Sequence, residues 1–455
     1  MSTRVRERRT GRRALRTSVA LGTGMVLAAA LTACQQQDEV TEKVTKATGA
    51  YPARVEQPSP GFEVALTAIP LVADKRLRVL DAENRVWAEP LEAPRKTSAY
   101  WAYERDETLL KVVLAERAER PPLAVSLWAD GALVAVDTRT GTVRWRARSG
   151  DAVGGRWSAL GRYLYDEGGS NTDTRLRVVP GDGRPVVLVD TGSGLLAFDA
   201  ADGGELWQES WKCDETAATT SSWVATHAVV VRESCEKGVR LLDARTGRRT
   251  ADLAPEIPAA WPRIGEDGVQ EPTLGEYACL RNVCDLLTFR LGGSTGGAKA
   301  LYWWIDGDGR PVPLEEGQAT PNAEDQPFGV DIADEGFTLV ATDAAARTTA
   351  WRVKTPLDVG GSRSFNDVAV TSDAVWAGST DWKGEGPALL GYDLKNGKQV
   401  ACGRPAGTAI THMATAGDYI VVNDIALDPA MTAEPEIDGD DPPFLMMNPR
   451  RKSAC

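Results

Sequence analysis

One eleven-residue pattern, recurring along the chain, constrains the fold more than any other feature. Residues 135–145 read AVDTRTGTVRW and residues 197–207 read AFDAADGGELW. Each is an apolar strand ending in aspartate, a turn with glycine four residues after the aspartate, and a strand ending in tryptophan. Weaker copies are LRVLDAENRVW ending at Trp87, RLLDARTGRRTADL around Asp243 and YWWIDGDGRPVPL around Asp306. VATDAAARTTAW ending at Trp351 and LLGYDLKNGKQVAC around Asp393 complete the set. The aspartates at 81, 137, 199, 243, 306, 343 and 393 stand 37 to 63 residues apart, a period that fits a repeated multi-strand unit.

Each position of the pattern has a physical role. Alternating apolar residues before the aspartate mark a half-buried strand. The carboxylate of Asp137 or Asp199 can accept hydrogen bonds from turn amides, and Gly141 or Gly203 supplies a positive φ that other residues resist. Trp145 and Trp207 then fall on an outer strand, where a broad ring can pack between adjacent sheets. Upstream lies a further apolar strand with a Gly-containing turn, as in PLAVSLWADGALVAVD and PVVLVDTGSGLLAFD. A unit of several antiparallel strands at this period is the signature of a β-propeller blade.

The AxDxxTGxxxW pattern resembles the repeat of the PQQ-type (quinoprotein-like) β-propellers over roughly residues 62–425, least regularly over 261–330. The resemblance implies an all-β chain folded as a single propeller of four-stranded blades. Seven copies suggest seven blades. Eight remain open, since members commonly have eight and residues 443–455 can add strands. The segment AITHMATAGDYIVVND, after the last copy, is expected to pair with N-terminal strands. The enzymes of this family resemble one another in a vicinal Cys-Cys disulfide, and some carry C-x-x-C-H. Neither occurs here, so no cofactor and no catalysis are expected. Members without a cofactor site resemble protein-interaction platforms, which implies an unidentified protein partner. The runner-up is a small-ligand sensor or an enzyme with its site in the funnel where blade loops converge.

The N-terminus sets the compartment. Residues 1–17 carry seven arginines and one glutamate, and residues 18–33, SVALGTGMVLAAALTA, are uncharged and apolar. That stretch is short for a membrane-spanning helix and reads as a cleaved export signal over residues 1–33. Leu31-Thr32-Ala33-Cys34 resembles a lipobox, which makes Cys34 the lipidated residue. Arg12-Arg13 also resembles a twin-arginine signal, leaving the export route open, and the Arg- and Ala-rich composition looks actinobacterial. Polar residues 34–60 read as a lipidated N-terminus and flexible tether, and residues 61–455 as the propeller. The expected location is the outer face of the cell membrane, with the protein held there by lipid as a monomer.

The formal net charge is −12, and without the first 33 residues about −18. Such a balance argues against nucleic acid, whose binding rests on neutralising phosphates. It also gives no electrostatic help in reaching anionic lipid, which leaves the anchoring to the lipid chains at Cys34. Setting Cys34 aside leaves six cysteines, an even number suited to an oxidising compartment. The expected pairs are Cys213–Cys235, joining neighbouring strands, Cys279–Cys284, pinching a short loop, and Cys402–Cys455, tying down the C-terminus. Zinc is disfavoured, because no C-x-x-C occurs and only His227 and His412 are available.

Other motifs reduce to turns. Asp190-Thr191-Gly192-Ser193 resembles half of an aspartic-protease site, but no second copy exists. Gly292-Gly293-Ser294-Thr295-Gly296 fits a nucleophile elbow by letter and lacks the helix that must follow. Asp306-Gly307-Asp308-Gly309 and Asp438-Gly439-Asp440-Asp441 fail the calcium loop at Arg310 and Pro442. No metal site is expected. Of the tryptophans, Trp303, Trp304 and Trp382 fall outside the repeat's packing position and are the candidate ligand or partner contacts.

Overall fold

The computed structural model describes residues 40–94, 97–150, 176–181, 184–191, 193–211, 221–225, 228–232 and 239–253. Beyond these it describes residues 273–280, 283–290, 300–305, 311–314, 328–333, 338–343, 348–354, 368–378, 389–403, 410, 413–423 and 444–448. Every regular element among them is a β-strand, and none contains a helix long and apolar enough to cross a membrane.

The strands form eight antiparallel sheets. The first comprises β3 (Leu71–Ala73), β4 (Leu77–Ala82), β5 (Arg85–Pro90) and β6 (Trp101–Arg105), with β1 (Glu42–Thr45) added outside β6. The second holds β7 (Leu109–Arg117), β8 (Arg120–Trp128), β9 (Ala132–Asp137) and β10 (Val143–Arg148). The third holds β11 (Leu176–Val179), β12 (Val186–Asp190), β13 (Gly194–Asp199) and β14 (Glu205–Ser210). The fourth runs through β15 (Ser221–Ala225), β16 (Ala228–Arg232), β17 (Val239–Asp243) and β18 (Arg249–Leu253). The fifth has β19 (Thr273–Leu280), β20 (Val283–Arg290), β21 (Ala300–Ile305) and β22 (Pro311–Leu314). The sixth has three described strands, β23 (Phe328–Ala333), β24 (Thr338–Asp343) and β25 (Thr348–Lys354). The seventh has β26 (Val368–Val370), β27 (Ala374–Gly378), β28 (Leu389–Asp393) and β29 (Gln399–Gly403). The eighth joins β2 (Glu63–Leu66) to β32 (Phe444–Met447), β31 (Tyr419–Asn423) and β30 (Met413–Ala416).

The sheets outnumber the seven motif copies because the eighth carries no Asp-Gly-Trp hairpin. It is built from both ends of the folded chain: Val64 pairs with Met446 and Val421 also pairs with Met446 from the other side. The segment expected to meet N-terminal strands thus does so through β32.

The middle strands of the second and third sheets are apolar on both faces. In β9, Val134 and Val136 pack toward the first sheet while Leu133 and Ala135 pack toward the third. In β13, Leu196 and Phe198 face the second sheet, and Leu195 and Ala197 face the fourth. Sandwiching on both faces explains the near-continuous runs VVLVD and LLAFD where one-sided burial would alternate. The eighth sheet packs on the first in the same way, through Leu80, Leu91, Tyr419 and Met446.

Candidate functional site

The recurring hairpin between third and fourth strands builds the outer part of the second, third, fourth and seventh sheets. Asp137 Oδ1 accepts hydrogen bonds from the amides of Arg139 and Thr140, both at 3.1 Å. Asp243 treats Arg245 and Thr246 the same way, and Asp393 treats Lys395 and Asn396. Asp199 accepts from Ala201 at 2.9 Å. The glycine amide then bonds back to the carbonyl of the aspartate, at 2.8 Å for both Gly141 and Gly203. A register shift follows between the third and fourth strands, as between Val143 and Trp145. A turn closed by a left-handed glycine and a bulge is a preferred hairpin geometry.

Tryptophans bind several of the sheets to the next. Trp145 Nε1 donates to the Ala200 carbonyl at 2.8 Å, Trp207 Nε1 to Ala244 at 2.8 Å, and Trp351 Nε1 to Leu394 at 2.7 Å. Each acceptor follows the aspartate of the neighbouring turn. The ring lies on that turn's glycine: Gly203 has φ 77°, and a Cβ there would stand 2.7 Å from the Trp145 ring. Gly203 therefore answers two demands, a left-handed backbone and a flat surface for the indole. Space for the ring is also made within its own sheet, since Ala135 and Ala197 are the register partners of Trp145 and Trp207.

In the first sheet the docking residue is Trp101, not Trp87. Trp101 is fully buried on β6, donates to the Thr138 carbonyl at 2.8 Å and lies against Gly141. The Asp81 copy is a different hairpin, joining β4 to β5, and Trp87 instead packs at the seam with the eighth sheet. No Asp-Gly turn precedes Trp101. Its only sequence signal is the apolar strand WAYER itself.

Charged side chains reinforce the same edges. Arg245 of the fourth sheet bonds Asp199 of the third at 2.6 Å. Burial works to raise the Asp199 carboxyl, but the Ala201 amide and the Arg245 guanidinium outweigh it and hold the group below its ordinary value.

Residues 42–62 are a strap rather than a free tether. β1 pairs with β6 in register Val44 to Tyr103, and Arg146 of the second sheet bonds Glu42 at 2.6 Å. Ala47 then bonds Thr140, and Thr48 bonds Tyr100. Tyr51 lies beneath the guanidinium groups of Arg76 and Arg139, at 5.1 and 5.7 Å, and burial pushes its hydroxyl up to about 12. Farther on, Asn448 donates to the carbonyls of Pro58 and Ser59. Backbone pairing and cross-strand charge hold this polar segment, which has no apolar alternation to announce it.

The seam of the first and eighth sheets is the other polar cluster. Tyr419 donates to Glu92 at 2.7 Å, Ser59 to the same carboxylate through both its amide and hydroxyl, and Lys75 to Asp418 at 2.8 Å. Asp74 and Lys75 both have φ near 50°, a conformation costly for non-glycine residues. The Lys75 carbonyl accepts from Val55 and its ammonium reaches Asp418, so the turn is held from both sides.

Of the residues singled out from sequence, Cys279 and Cys284 are register partners on β19 and β20. Cys402 is half-buried on β29 beside Leu390 and Trp351. Trp303 and Trp304 lie on β21, paired with Leu287 and Leu286. Cys34, Cys213, Cys235, Cys455 and Trp382 lie outside the described residues. Among the described residues no group of three or more His, Cys, Asp or Glu is arranged to hold a metal.

Residues 4–249, more than half of the chain, match the family described as outer membrane protein assembly factor BamB, a PQQ-type repeat family. The chain belongs to this family. Among solved structures, this family member is similar to BamB from Moraxella catarrhalis, at 14% identity over 83% of this chain and 85% of that chain with a TM-score of 0.33. It is also similar to the dihydro-heme d1 dehydrogenase NirN, at 14% identity over 83% and 73% with a TM-score of 0.40. The computationally designed Ika8 protein matches at 17% identity over 70% and 82%, with a TM-score of 0.37. At such scores these likenesses carry no argument of their own. No curated protein matches the chain.

Proposed function

We propose that this chain is a lipid-anchored β-propeller on the outer face of the cytoplasmic membrane, acting as a protein-binding scaffold rather than an enzyme. The eight sheets are its blades, in one ring closed by the sheet that both ends of the chain share. The carrying observation is the Trp-to-turn docking, which locks sheet to sheet while β10 and β14 each pair with one neighbour among the described strands. A body fixed before binding loses little conformational freedom when a partner arrives, and an extended segment can add to a free edge. The family's description as an assembly factor points the same way.

The remaining parts of the reading follow the sequence. Cys34 carries the lipid after removal of residues 1–33, in an actinobacterial type of lipoprotein. The propeller is monomeric and braced by Cys213–Cys235, Cys279–Cys284 and Cys402–Cys455, the middle pair favoured by its register. No cofactor or metal takes part.

Photo-crosslinking groups at Gln208 on β14 and Val400 on β29, both exposed, test the scaffold in intact membranes. A discrete protein adduct from at least one outer strand, absent when the group sits at buried Val187, is the expected result. No adduct from either strand rejects the scaffold reading. Metabolic labelling with a clickable fatty acid tests the anchor, and the label must disappear in Cys34→Ala.

A further inference from the structure

The outer strand of the second sheet has an unusual face for so acidic a chain. In β10, Trp145 and Ala147 turn inward toward the third sheet, while Arg144, Arg146 and Arg148 alternate outward. Their side chains are 50%, 52% and 57% exposed. Side chains two residues apart on a strand share a face, so the three guanidinium groups form one strip.

The strip is under-neutralised. Asp137 stands 3.8 Å from Arg144 but also holds buried Arg117, and its other oxygen serves the turn amides. Asp130 stands 3.8 Å from Arg148 and is bonded by buried Arg105 at 3.0 Å. Arg146 has the closest carboxylate of the three, Glu42 on β1 at 2.6 Å. Beside Glu42, Val44 is one of two large apolar side chains exposed among the described residues.

Its position supplies the second argument. β1 flanks the strip and begins eight residues after Cys34, a span of at most about 28 Å when fully extended. We propose that this strip is a membrane-facing surface that binds the anionic phospholipid headgroups of the bilayer carrying the anchor. The inference rests on lipidation of Cys34. It revises locally the expectation from net charge: the whole chain repels an anionic surface, yet the patch beside β1, the first described strand after Cys34 in sequence, attracts one. Basic residues near a membrane each strengthen binding severalfold at moderate salt, which would orient the propeller with the β1 and β10 edges toward the lipid.

The test uses the unlipidated mature chain, residues 34–455 with Cys34→Ala. Every buried core residue among the described residues lies within Glu42–Cys455, so this protein keeps that core. Partition is measured onto phosphatidylcholine vesicles with and without phosphatidylglycerol. Salt-sensitive binding to the anionic vesicles alone is expected. It should weaken at least about tenfold in Arg144→Gln/Arg146→Gln/Arg148→Gln, and not in Arg248→Gln/Lys395→Gln/Lys398→Gln, which removes exposed charges elsewhere. Equal binding to neutral vesicles, or anionic binding that survives the triple substitution, overturns the proposal. So does retention on an acidic polypeptide resin without vesicle binding, which assigns the strip to a protein. Because no lipid is attached, a negative result here is separate from a failure of fatty-acid labelling at Cys34.

Discussion

Gly203 and Trp145 form the smallest unit of this architecture, one residue from each of two sheets. The glycine carries a left-handed backbone and a face that no side chain may occupy. Gly203→Ala should therefore cost the ~1–2 kcal/mol of a left-handed alanine and a further amount for displacing the indole. In a Trp145→Ala background the second part vanishes, so urea unfolding of the two single variants and the double should show a coupling of about 1 kcal/mol or more. Purely additive losses would mean that the ring does not rest on the turn. Trp145→Phe isolates the hydrogen bond to Ala200, whose loss should cost about 1 kcal/mol. The logic extends to sheets without an outer tryptophan. In the seventh, Ala401 occupies the equivalent position, its partner is Gly391, and the Trp376 ring fills the space over that glycine.

At the scale of the strand, β1 separates what pairing provides from what packing provides. It buries little, and its ion pairs to Glu104 and Arg146 are exposed, so they add only about 0–1 kcal/mol each. Replacing residues 42–45 by Gly-Ser should leave the melting temperature within a few degrees. Hydrogen exchange of the β6 amides, now at an uncovered edge, should accelerate by at least about tenfold. Unchanged exchange would show that β1 is not paired in solution. The same contrast explains what the sequence made legible. The hairpins at Asp137, Asp199, Asp243 and Asp393 were readable because turn chemistry demands aspartate and glycine at fixed spacing. Trp101 was not, because a longer connection, and no such turn, leads into β6. The strap was hidden because edge pairing asks only for backbone, and the pairing of β2 because its partner β32 lies some 380 residues away. The arginine strip was visible as VRWRAR, but its meaning depended on which strand edge faced outward and what stood beside it.

For the molecule as a whole, the junction of first and last sheets is where stability should depend most on pH. Glu92 and Asp418 are drawn down despite burial that would raise them: Ser59 and Tyr419 donate to the first, Lys75 and Ser372 to the second. A carboxyl lowered on folding contributes stability that is complete above its unfolded value. That contribution is lost as pH falls through the lower folded one. Acidification from about pH 5 to about pH 3, across the ordinary carboxylate range, should therefore loosen this junction, with its two lowered carboxyls, ahead of the edge between the third and fourth sheets, where Asp199 alone is held down. The Trp145 and Trp207 hydrogen bonds carry no titrating group. The Asn448 bonds to Pro58 and Ser59 are likewise neutral and should keep the strap in place until β32 itself departs. In Glu92→Gln/Asp418→Asn, the melting temperature should be lower at neutral pH and fall less steeply toward acid, with early exchange at β31 and β32 no longer induced by pH. Parallel acid profiles for variant and parent would place the acid-labile joint elsewhere.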